Sequence, residues 1–302
     1  MGFSDDLARA VQQKRSPLVV GIDPRWDQLP EALREGGDGL AERAAAFREF
    51  SLGVIGAVEP HAAAIKPQVA FFEELGPHGM TALGDVIAAA RAAGLPVIVD
   101  GKRNDIGSTA EAYARGWLGR GSAWGGDALT VSPYLGDDSL DPFVEVATDR
   151  GAGLFVLVKT SNPGGALWQD RVADGQTLYQ SIGAHVQSLA VASLDECGYG
   201  AVGAVVGATY PRQLAELREL MPHVWFLIPG YGSQGGTAAD VAAGFAADGL
   251  GAVVNSSRGV IFAYQRSEYV DRAASGHWTD CVAAAAADAV ADLRRHTPAG
   301  RL

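Results

Sequence analysis

Asp100, Lys102, Arg103 and Asp105 fall within six positions of the stretch VDGKRNDIGSTAEAYA, Val99 to Ala114, where an apolar run ends. Side chains alternate faces along a strand, so Asp100 and Lys102 share the face of Ile98 while Val99 and Gly101 point the other way. A charge cluster usually marks a solvated surface ion pair. A carboxylate and an ammonium facing one interior at a strand's exit point instead to a buried polar site. Asp105 comes just before GSTAEAYA, where Ser108 or Thr109 is expected to cap a helix with Glu111 in its first turn.

Two glycine-bearing stretches indicate the class of ligand. PGYGSQGG, from Pro229, and NSSRGV, from Asn255, each follow an apolar run. In parallel barrels the loops after the last two strands commonly bind phosphate through backbone N–H groups. Gly230, Gly232, Gly235 and Gly236 permit close backbone approach, Gln234 adds an amide donor, and Arg258 before Gly259 offers a guanidinium suited to bidentate phosphate contact. A phosphorylated small molecule is expected. GYGSQG also fits the dinucleotide pattern GxGxxG, but that motif opens a first βαβ unit with an acidic residue closing the next strand, and here the next strand closes in Asn255. The histidines, at 61, 78, 185, 223, 277 and 296, have no metal-ligand spacing, and no GxSxG nucleophile elbow occurs.

These groups need a frame that gathers strand ends. Apolar runs begin at Leu18, Ala63, Pro96, Ala128, Gly153, Gly203, Trp225 and Gly251. They are continuous rather than alternating, as for strands covered on both faces, and Ala-rich amphipathic segments lie between them. Eight βα units predict an α/β chain folded as a (β/α)8 TIM barrel in a single domain, 1–302, with an N-terminal capping helix within Asp5 to Lys14. The strands' C-terminal ends then converge, bringing together Asp23, Lys66, Asp100 and Lys102 with the SPY, KTSNPGG, PGYGSQGG and NSSRGV stretches. Longer connections at 25–44 and 161–175 read as insertions on that rim.

Of the 302 residues 48% are hydrophobic and 20% charged, with 24 Lys and Arg against 35 Asp and Glu, so the net charge of −11 disfavours a nucleic-acid or anionic-membrane surface. Cys197 and Cys281 stand far apart with no CxxC, which suits a reducing compartment. The first residues lack an apolar signal core and no apolar run reaches a membrane span, so a cytoplasmic location is expected.

Asp100-x-Lys102-x-x-Asp105-Ile106, with Lys66 on the preceding strand and PGYGSQGG and SSRG following in order, resembles the signature of orotidine 5′-phosphate decarboxylases. GIDPR, IKPQVAFFE, SPYLG and KTSNPG are most similar to the longer bacterial branch, type 2. The resemblance implies decarboxylation of orotidine 5′-phosphate to UMP, the last step of de novo pyrimidine synthesis, with no cofactor and no metal. It implies that Lys102 protonates the C6 carbanion, that Asp100 lies against the substrate carboxylate, and that Lys66 and Asp105 complete an alternating charge network. Asp23 and Lys66 would meet the ribose hydroxyls, Thr160 or Ser161 the pyrimidine, and Gln234, Gly235, Arg258 and Gly259 the phosphate, with Pro229 and Tyr231 in a lid. Asp105, Ile106 and Thr109 would reach into a partner's site, making a homodimer.

Two alternatives share the barrel. Mg²⁺-dependent sugar-phosphate decarboxylases and aldolases resemble the chain less, because they carry an acidic metal ligand on the second strand, where this chain has Lys66 and an ammonium would repel a cation. A non-catalytic phosphate-binding barrel has no use for the intact Lys-Asp-Lys-Asp set.

Overall fold

The computed structural model describes residues 2–232, 235–271 and 277–302. Among the described residues ten strands occur in chain order: β1 Leu18–Ile22, β2 Ala64–Pro67, β3 Ile98–Arg103, β4 Ala128–Val131, β5 Gly153–Lys159, β6 Val172–Ala173, β7 Gln176–Thr177, β8 Val202–Val206, β9 Phe226–Ile228 and β10 Ala252–Ser256. Eight form one parallel sheet in the order β2-β1-β10-β9-β8-β5-β4-β3. Parallel bridges Ile65 to Val97 and Gln68 to Asp100 join its two ends, so the sheet closes as the expected barrel. Each expected apolar run contributes one barrel strand. The remaining two, β6 and β7, make a small antiparallel hairpin across the end of the 161–175 connection, which the sequence did not signal.

Strand alternation divides the core in two. Leu18, Val20, Ile65, Val99, Leu129 and Val254 pack outward against the helices, whereas Val19, Ala64, Ile98, Ala128, Phe155 and Val253 fill the barrel interior. The helix Phe3–Lys14 plugs the N-terminal end, inserting Phe3 and Leu7 into that interior cluster. Phe3 meets Phe155 edge to face at 6.0 Å. A Cβ on Gly153 would stand 2.1 Å from the Phe3 ring, so a glycine at the start of β5 is what lets the plug seat. Sealing one end by apolar packing leaves the polar end open for chemistry.

Two strands break regularity, and both breaks bear on the site. On β3, Val99 pairs with Leu129 and Arg103 with Val131, so four steps on one strand face two on the other. On β5, Leu157 pairs with Val205 and Lys159 with Val206, one residue extra. Bulges of this kind re-aim side chains near barrel rims.

Candidate active site

Asp100 is the hub. Following Ile98 on the interior face of β3 it is buried, and its Oδ2 accepts from Lys66 Nζ at 2.6 Å and Gln68 Nε2 at 3.1 Å. Its Oδ1 accepts from Lys102 Nζ at 2.5 Å and from the Thr130 hydroxyl at 3.0 Å. Burial alone would raise its pKa; the Lys66 and Lys102 ammoniums outweigh burial and hold the carboxyl well below the usual range. Burial likewise works against the Lys66 charge, yet Asp100 and then Asp23 leave its pKa raised.

Lys102 reaches Asp100 by a route that simple alternation does not provide. Its φ is +45°, a left-handed conformation that side chains other than glycine seldom adopt and that costs on the order of 1–3 kcal/mol. In place of a ladder bond, its N–H donates to Thr130 Oγ1 at 2.9 Å. The expectation of two charges facing inward holds for their positions, but the bulge delivers the second. Arg103 goes the other way, bonding Glu73 and stacking 5.3 Å from the Trp117 ring. The helix that follows spans Gly107–Leu118 and starts before the expected caps: Ser108 and Thr109 lie inside it, and the Asp105 carboxylate takes the Ile106 N–H at 2.8 Å.

Around this hub opens a cavity of about 450 Å³ at the C-terminal rim. Its floor consists of inward-facing strand-end residues, and the two halves differ. Asp23, Lys66, Asp100, Thr130 and Asn255 make one half polar, whereas Leu157, Val205 and Leu227 make the other apolar. Buried oxygens of Asp23 and Asn255, both Oδ1, have no hydrogen-bond partner among the described residues. Such acceptors suit hydroxyl donors of a ligand. Arg258, Ser257 and the Pro229–Tyr231 segment line the far side. Gly230 has φ +102°, which lets the chain turn there over the cavity mouth.

Comparison with known proteins fits this barrel and its charged floor. Residues 16–273 match the orotidine 5′-phosphate decarboxylase / HUMPS family. The chain belongs to that family. It is 55% identical over 294 residues to the orotidine 5′-phosphate decarboxylase of Rhodopirellula baltica, covering 94% of this chain and 96% of the relative. With the Deinococcus radiodurans orotidine 5′-phosphate decarboxylase the identity is 45%, over 86% and 89% of the two chains. The solved Leishmania donovani OMP decarboxylase superposes with a TM-score of 0.77 at 36% identity, covering 98% of each chain.

Of the residues expected from the orotidine 5′-phosphate decarboxylase resemblance, Asp23, Lys66, Asp100, Lys102, Thr160, Ser161, Pro229 and Arg258 line this cavity. Gly235 and Gly259 border a second cavity behind the loop, with Tyr231 lining both. Asp105, Ile106 and Thr109 are outside the cavity of their own chain, and Ile106 is 57% exposed. Gln234 lies outside the described residues. The sequence pattern gave no site role to Gln68, Thr130 or Asn255, although Asn255 closes a strand on the rim. Each shares the strand parity of a residue already singled out or of the interior cluster, so alternation carried their signal.

Proposed function

We propose that the chain converts orotidine 5′-phosphate to UMP and CO₂ with no metal or organic cofactor, as the last step of de novo pyrimidine synthesis. The observation that carries this reading is one carboxylate, Asp100, shared by two ammoniums, Lys66 and Lys102, on the floor of a cavity in a chain of this family. Breaking the bond from C6 to the carboxyl carbon leaves an electron pair in the ring plane, where no adjacent electron sink exists. Stabilisation must come from charge already in place. Lys102 carries that charge on a half-exposed side chain, and its Nζ proton forms the new C6–H bond. Asp100 stands beside the departing carboxylate, repelling it before CO₂ leaves more than afterwards.

The remaining residues divide the substrate among them. Asp23 and Lys66 take the ribose hydroxyls, a role supported by the orphaned Asp23 Oδ1. Thr160 or Ser161 meets the pyrimidine. Arg258, with Gly259 and the loop carrying Pro229, Gln234 and Gly235, holds the phosphate, whose binding energy closes that loop over the site. A sugar-phosphate enzyme of the Mg²⁺ type is disfavoured by Lys66, whose ammonium stands 2.6 Å from the carboxylate such a cation would need.

The same reading makes the enzyme a cytoplasmic homodimer of one-domain chains, in which Asp105, Ile106 and Thr109 serve the partner's cavity. Ile106, Tyr113 and Tyr134 are exposed, at 57%, 39% and 79%, and so are accessible to a partner. Among the described residues no helix is long and apolar enough to cross a membrane.

Loss of orotidine 5′-phosphate absorbance in EDTA, beside a Lys102→Ala control, tests the assignment. Turnover that requires Lys102 is expected. Silence in EDTA with activity on a ketose phosphate once Mg²⁺ returns would move the chain to the sugar-phosphate enzymes.

A further inference from the structure

The connection between β5 and the helix Leu178–Val191 reaches back to the strand it leaves, residue for residue. The extra residue on β5 reverses its alternation, so Lys159 turns out of the interior. There it is fully buried, with its ammonium 4.6 Å from the Tyr210 ring and 5.4 Å from the Tyr179 ring. A buried ammonium is costly without a counter-charge, and Asp170 supplies one. Next to that pair, Gln169 holds Thr160 at both ends of its amide: Oε1 accepts the Thr160 N–H at 3.0 Å, and Nε2 donates to Thr160 Oγ1 at 2.8 Å. The bulge that sends Lys159 outward leaves Thr160 and Ser161 lining the cavity.

The direction of these two bonds is not a matter of choice. A backbone N–H can only donate, so it must face the Gln169 oxygen, and the amide NH₂ must then face Oγ1. The threonine hydroxyl therefore accepts from Gln169 and keeps its own proton to donate elsewhere. We propose that Gln169, anchored by the neighbouring Asp170–Lys159 pair, is a positioning residue that turns Thr160 into a hydroxyl donor for a carbonyl oxygen of the substrate's base. The inference rests on the pyrimidine-nucleotide reading above and gives the 161–175 connection a role within it: setting the hydrogen-bond polarity of the base-recognition edge.

Gln169→Glu tests polarity apart from packing. The carboxylate still accepts the Thr160 N–H, but its second oxygen cannot donate, so the threonine hydroxyl turns to donate to it and away from the cavity. Binding of UMP and of ribose 5-phosphate, which has no base, is measured by calorimetry alongside thermal unfolding, for wild type, Gln169→Glu, Gln169→Ala, Thr160→Val and the Gln169→Glu/Thr160→Val double variant. The expected result is an about tenfold or greater loss of UMP affinity in Gln169→Glu and Thr160→Val, with ribose 5-phosphate affinity unchanged and no further loss in the double variant. UMP affinity as in wild type for both single Gln169 variants, or equal losses of UMP and ribose 5-phosphate, would overturn the positioning role while leaving the functional reading intact. Wild-type protein that binds ribose 5-phosphate but gains nothing from the base would overturn both.

Discussion

Two buried lysines, each paired with an aspartate, lie on the same rim and do opposite things. Lys66 and Lys159 are both nearly inaccessible, with side chains 6% and 0% exposed. Lys159 has one carboxylate, Asp170, on the solvent side and aromatic rings around its ammonium, so its charge is matched and sealed. Lys66 shares Asp100 with Lys102 and also feels Asp23, and all four charged groups line a cavity of about 450 Å³. Burial of charge is common to both and therefore does not mark the active site. Charge that faces open volume does, because only there can its field act on a ligand.

Breaking each pair should separate chemistry from stability. The largest effect is expected in Lys102→Ala: a fall in kcat/KM on the order of 10⁴-fold or more, since both proton donation and charge stabilisation go. Steady-state kinetics on protein shown by circular dichroism to be folded checks this, and Lys159→Met, treated alike, should keep turnover within a few-fold. Asp170→Ala comes next. It strands the Lys159 ammonium in apolar surroundings and should cost about 3 kcal/mol in urea unfolding, toward the lower end for a broken buried pair because Asp170 is partly exposed. Unchanged stability there would mean that Lys159 has no need of its partner.

Arg258→Ala should act mainly on binding, losing about 10- to 100-fold in affinity for UMP and nothing for the phosphate-free nucleoside, as calorimetry would show. The smallest effect concerns pH. Asp100 is held below its ordinary value, so the stability it confers is in place above about pH 4 and is lost as pH falls below that. Lys66 is held above its ordinary value, so its share is in place below about pH 10 and is lost only at higher pH. Between about pH 6 and 9 neither group titrates, and urea-unfolding curves should show no slope traceable to this pair. A slope there that vanishes in Asp100→Asn would contradict the charge state assigned to the hub.

Local pattern accounts for much of this molecule. The eight apolar runs became eight strands because residues covered on both faces of a parallel sheet must be apolar throughout, a local property of composition. Asp23, Lys66, Asp100 and Arg258 are recognisable because each closes or follows such a run, and in a barrel every run ends on the same rim. Thr130 and Asn255 are readable by the same parity. The departures from alternation are not. Nothing in VDGKRND signals that Lys102 takes φ +45° on a bulge, where its N–H finds its partner in the Thr130 hydroxyl on another strand. Nothing in GLFVLVKT shows that Lys159 leaves the interior and Thr160 enters it, because the register against β8 decides that.

The sequence by itself therefore determined the strands, their barrel and the chemical character of the rim, since those depend on the apolar pattern and on which residue types end each run. Only the tertiary structure decided which ammonium faces the cavity and which is sealed behind it. That choice depends on inter-strand register and on partners from distant segments, Asp100 for Lys66 and Asp170 for Lys159, which no local pattern encodes.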